Sequence, residues 1–71
     1  MGVSQEATLR AVTSEWEETS AIADRVPRPS GRVRFTHLTC VYADLAKLAK
    51  WGLVEKLSDG EGRPVKWRRA L

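Results

Sequence analysis

The only histidine and the only cysteine of this 71-residue chain, His37 and Cys40, stand three residues apart. On a helix that spacing turns two side chains toward one ligand. A zinc site needs three or four such groups, so the pair does not make a metal site within one chain. Cys40 as a nucleophile would need a positioned base, and no second histidine supplies one. Glu15, Glu17 and Glu18 lack the pairing or burial that acid–base work requires. They read instead as a solvated, acidic first turn of a helix. Gly60-x-Gly62 lacks the strand-to-helix setting of a phosphate-binding loop and reads as a turn. The sequence thus predicts no catalysis, no metal and no cofactor.

The cations point elsewhere. Residues 1–24 hold one basic side chain, Arg10, against five acidic ones, whereas residues 25–71 hold eleven basic against four acidic. An acidic front and a basic back suggest a polyanionic partner, although basic residues also simply solvate a helix face. Arg28, Arg32 and Arg34 precede a strongly helical segment. Arg63, Lys66, Arg68 and Arg69 cluster near the end.

These side chains must be positioned by a small fold. A chain of this size buries only about 60% of its unfolded surface, which leaves no room for a walled catalytic pocket. Leu9 and Val12 at helical spacing predict a first helix over about 5–13, with Ser4 as N-cap. Ser14-x-x-Glu17 matches a capping box that would start the next helix at once. The alternative is a short extended segment around Trp16, with the second helix starting near Glu18 or Thr19. That helix, about 18–26, ends before Pro27 and Pro29.

A loop over 27–35 follows. Phe35, Leu38, Val41, Tyr42, Leu45, Leu48 and Ala49 then step by three, three and one, as one buried face of a helix over about 36–51 requires. That stripe would leave Thr36, His37, Thr39, Cys40, Ala43, Asp44, Lys47 and Lys50 on the free face. Gly52 stands where a left-handed C-terminal glycine ends a helix. Residues 53–57 and 63–68 read as two strands around the turn Ser58-Asp59-Gly60-Glu61-Gly62. The expected fold class is mainly α with a small β-hairpin, one domain over 1–71.

Val41-Tyr42-x-x-Leu45-x-x-Leu48-x-x-x-Gly52-Leu53-Val54-Glu55-Lys56, followed by Asp59-Gly60-x-Gly62-Arg63-Pro64-x-x-Trp67, resembles the recognition helix and wing of a three-helix winged helix-turn-helix domain. The likeness is to small bacterial regulators of the PadR and MarR type. Ser20-Ala21-Ile22-Ala23-Asp24-Arg25-Val26 is similar to the supporting helix, and the resemblance covers about residues 18–69. Pro27 to Phe35 make a longer connection than the usual turn of three or four residues. No sensor or dimerisation domain accompanies the motif.

The resemblance implies binding to double-stranded DNA and a role as a small sequence-specific transcriptional regulator, of the kind carried by phages or mobile elements. The third helix would enter the major groove with its N-terminal part against base edges. Expected contacts are Arg32, Arg34, Thr36, His37, Thr39, Cys40, Ala43 and Lys47, with Arg63, Lys66 and Arg68 on the wing (about 53–69). Lys56 is left without a role. Six phosphate contacts would lower affinity roughly 10³-fold between 50 and 200 mM salt. One helix reads few bases, so a homodimer or cooperative binding is expected.

Two rival readings remain. A winged helix can instead dock on a protein, here through the acidic front (Glu6, Glu15, Glu17, Glu18) or through Trp51. An architectural or recombination accessory role in bending DNA is the other. Apolar runs as short as Ala21-Ile22-Ala23 are far below the roughly 20 residues of a bilayer span. With no secretory signal and a single cysteine, a reducing, cytoplasmic location is expected.

Overall fold

A computed structural model describes residues 1–58 and 60–70; Asp59, in the expected turn, lies outside the described residues. The elements run α1 (Val3–Ala11), β1 (Glu17–Glu18), α2 (Thr19–Arg25), α3 (Arg34–Lys50), β2 (Val54–Leu57) and β3 (Lys66–Arg69). The strands form one antiparallel sheet in the order β1-β3-β2. The fold is therefore mixed α/β, with three helices and a three-stranded sheet rather than helices and a hairpin alone. Among the described residues no helix is long and apolar enough to cross a membrane.

The third strand forms because the segment after α1 takes the extended of the two routes open to it. α1 stops at Ala11, two residues before its expected end, and the β-branched Val12 adopts extended backbone. Glu17 and Glu18 then pair with Trp67 and Lys66. Thr13 donates its hydroxyl hydrogen to Glu17 Oε1 at 2.8 Å, and Arg25 donates to both oxygens of the same carboxylate. Trp67 is the pivot of the sheet. It is fully buried, and its indole N–H donates to Thr19 Oγ1 at 2.9 Å. Trp16 packs outside the core, half-buried, with the Arg68 guanidinium 4.4 Å from its ring centre.

Val12, Ile22, Val41, Leu45, Leu48 and Trp67 make the core, where the three helices meet the inner face of the sheet. The buried stripe of α3 is rotated from the expected one. It runs through His37, Val41, Asp44, Leu45 and Leu48, while Phe35 is 79% exposed and Tyr42 lies at the margin. The physical reason is α1, whose inner face is polar. Asp44 accepts hydrogen bonds from Ser4 Oγ (2.5 Å), Gln5 Nε2 (3.3 Å) and Thr8 Oγ1 (3.2 Å). Ser4 therefore does not cap α1, a position held by Gly2; its hydroxyl joins α1 to α3.

The end of α3 is set by Gly52, at φ 79°. Its N–H donates to Ala49 O and that of Leu53 to Leu48 O, a Schellman closure that turns the chain directly into β2. The long connection between α2 and α3 is ordered by a turn in which Arg32 N–H donates to Pro29 O at 3.1 Å. Gly31, at φ 84°, supplies the left-handed backbone that its third position needs.

Candidate functional site

With that rotation, α3 presents an outward face made of Phe35, Thr36, Thr39, Ala43, Ala46, Lys47 and Lys50, all exposed. Of the side chains expected there, Thr36, Thr39, Ala43, Lys47 and Lys50 share this face. The only carboxylate of α3, Asp44, is turned inward and 7% exposed, so the outward face carries cations and no anion. Thr39 donates its hydroxyl hydrogen to Phe35 O at 3.0 Å, which leaves a methyl group and an acceptor as what it offers outward.

His37 is not on this face. It is 5% exposed, and its Nε2 lies 3.0 Å from Ala23 O and 3.1 Å from Val26 O. As an Nε2–H donor it reaches two carbonyls at the C-terminal end of α2, that of Ala23, which also accepts from Val26 N–H, and that of Val26. The histidine thus fixes how α2 meets α3 and is structural. Cys40 is half-buried and lies on the α1 side, where it borders a cleft with Ser4, Ala7 and Asp44. Both departures follow from the rotated stripe. Among the described residues no group of three His, Cys, Asp or Glu is placed to hold a metal ion.

The arginines divide by what they touch. Arg34, at the start of α3, pairs with Asp24 at 2.9 Å, with both side chains well exposed. Arg32 is half-buried in the α2–α3 connection. Arg68 pairs with Glu55 at 2.8 Å and covers Trp16. Strand alternation puts Arg68 and Lys66 on the sheet face opposite Trp67, and Trp67 is the residue that packs toward α3, its ring 5.4 Å from that of Tyr42. Lys66 and Arg68, expected as wing contacts, therefore lie on the sheet face turned away from α3. Arg63 is exposed on the connection between β2 and β3.

Lys56, to which the sequence assigned nothing, does lie on the α3 side. It pairs in register with Trp67, and its Nζ sits 5.9 Å from the Tyr42 ring centre and 5.7 Å from that of Trp67. The signal was parity: once Trp67 is taken as the inward residue, its cross-strand partner shares its face. Between α3, the start of α2 and the segment leading into β3, an open groove of about 500 Å³ is lined by Leu38, Thr39 and Tyr42, by Glu18, Thr19 and Ser20, and by Pro64 and Val65.

Glu17 and Arg25 make the one pair with perturbed titration among the described residues. Hydrogen bonding to the Arg25 guanidinium, and then to the Thr13 hydroxyl, holds the Glu17 carboxyl below its ordinary range. The same contact raises Arg25. Arg25 also donates from Nε and Nη2 to Ala11 O, so the pair joins the end of α1 to β1 and α2. Its place is structural, and it removes Glu17 from the acidic front proposed as a docking surface.

No protein-family model, curated protein or solved structure matches the chain.

Proposed function

We propose that this chain is a winged helix-turn-helix domain that binds double-stranded DNA as a small transcriptional regulator. In this reading α3 enters the major groove and the β2–β3 hairpin is the wing. The element order and the β1-β3-β2 sheet are compatible with a winged helix. The observation that carries the reading is the outward face of α3, free of carboxylate, with Lys47 and Lys50 on it and Lys56 and Arg63 on the adjoining hairpin. These four cations make no ion pair among the described residues. A groove 12 Å wide admits one helix, and cations flanking it meet phosphates, which fix register without reading sequence.

Paired or outward-turned arginines reduce the expected phosphate count below the composition-based six. Lys47, Lys50, Lys56 and Arg63, each neutralising one phosphate, give a slope of log K against log salt of about −3.6. The test is binding of the full chain to a duplex pool across a salt series, with the bound sequences read out. A slope near −3 to −4 with an enriched motif supports the reading. Salt-dependent binding without enrichment supports an architectural role instead. No duplex binding at low salt overturns the proposal and directs attention to a protein partner, with Trp51, 51% exposed at the end of α3, as the first surface to alter.

A further inference from the structure

The outward face of α3 has an unusual chemistry for a helix that reads bases. Guanine is recognised through O6 and N7 by arginine or lysine, and adenine through N6 and N7 by asparagine or glutamine. The chain contains no asparagine, and its single glutamine, Gln5, is on α1 with its amide donated to Asp44. Arg34 is engaged with Asp24, and Lys47 and Lys50 belong to the last turns of the helix. What remains over the first turns is Phe35, Thr36, Thr39 and Ala43. Phe35 holds its ring in water at 79% exposure. Thr39 is exposed with its hydroxyl hydrogen engaged by Phe35 O, which leaves its methyl group and an acceptor oxygen.

In the major groove one base offers an apolar feature, the C5-methyl of thymine, and phenylalanine, threonine and alanine side chains are its natural contacts. We propose that the first half of α3 reads thymine methyl groups, with Phe35 and Thr39 as the specificity-determining side chains. Preferred sites are then A·T-containing duplexes recognised through methyl contact rather than through hydrogen bonds to purines. This inference rests on the DNA-binding reading above and specifies what α3 recognises.

Replacing thymine with uracil removes that methyl and leaves base pairing unchanged. Burial of one methyl is worth ~0.8 kcal/mol, about fourfold in affinity, so two methyl contacts give roughly fifteenfold. The full chain is titrated against an alternating d(AT) duplex and an alternating d(AU) duplex of equal length, at one fixed salt concentration. The expected result is about tenfold tighter binding to d(AT). The exposed substitutions Phe35→Ala and Thr39→Ser, the latter keeping the hydroxyl, each narrow that ratio. Circular dichroism confirms that both variants fold.

Equal affinity for d(AT) and d(AU), with the salt dependence intact, overturns methyl reading and leaves DNA binding standing. A d(AT) preference that both variants retain in full also overturns it, because the discrimination then lies in the duplex and not in these side chains. Failure to bind either duplex at low salt overturns this inference together with the DNA-binding reading.

Discussion

Replacing Asp44 with alanine tests whether a polar contact, rather than apolar packing alone, sets the rotation of α3. The carboxylate is 7% exposed and accepts from Ser4, Gln5 and Thr8, the last of these 0% exposed. Ser4 and Gln5 reach solvent and can trade Asp44 for water, so their bonds count little. Thr8 cannot. Its hydroxyl would be left buried and unpaired at a cost of about 1–3 kcal/mol. Alanine returns about 0.5 kcal/mol through better helix propensity. The expected net loss is ~1.5 kcal/mol, out of roughly 4–10 for a domain this size, and Tm should fall by about 6–12 °C.

Urea unfolding followed by tryptophan fluorescence reports the loss, since Trp67 is fully buried. Thr8→Val removes the orphaned donor with little change of shape, so the double variant should be more stable than the two single losses add up to. A coupling of about 1 kcal/mol or more is expected. An unchanged midpoint for Asp44→Ala, or additivity within ~0.3 kcal/mol, would refute the reasoning and leave apolar packing as the sole determinant of the helix face.

His37→Leu should cost about 1–3 kcal/mol by removing the imidazole donor shared by the Val26 carbonyl and that of Ala23, the latter keeping Val26 N–H, while duplex affinity per folded molecule and its salt slope stay as they were. Denaturant unfolding and salt titration check the two halves separately. Lys56→Ala should weaken binding to every duplex and lower the salt slope by about one, whereas Arg68→Ala, already paired with Glu55, should leave that slope unchanged. Glu17 has a folded-state pKa below its unfolded value, so its contribution is present above the ordinary carboxylate pKa of about 4.3 and is lost as pH falls through the folded value. Both partners are substantially solvated, with side chains 42% and 22% exposed, which keeps the effect within ~1 kcal/mol. Glu17→Gln should flatten the acid limb of the stability curve by that amount, measured by unfolding at pH 3 to 7.

Element existence was legible wherever a local rule had a single solution. Pro27 and Pro29 end α2, Gly52 ends α3, and the turn residues separate β2 from β3. β1 was legible only as one of two alternatives. A capping box and an extended segment are both satisfied by Ser14-x-x-Glu17, and the choice is made by partners far along the chain: Arg25 on the Glu17 carboxylate and Trp67 across the ladder. No window around residue 16 contains either of them.

The candidate site was half legible, and the error has one source. Apolar periodicity assigned Phe35 and Tyr42 to the core and His37 and Asp44 to the free face, because hydrophobicity was the only quantity counted. A helix that packs against polar neighbours can bury polar side chains that find hydrogen-bond partners there, and α1 offers Asp44 the side chains of Ser4, Gln5 and Thr8 on one face at i, i+1 and i+4. Stepping from His37 through Val41, Asp44, Leu45 and Leu48 is as helical as stepping from Phe35. The complementary hydroxyls on α1 decide between them. The shift of the buried stripe toward His37 and Asp44 then determines which chemistry faces outward. It withdraws the imidazole and the carboxylate, half-buries the thiol, and exposes the phenyl ring. The outward face keeps Thr36, Thr39, Lys47 and Lys50 but lacks the imidazole and the carboxylate, so in the proposed DNA-binding reading the packing of α1 on one side of α3 narrows what the other side can read.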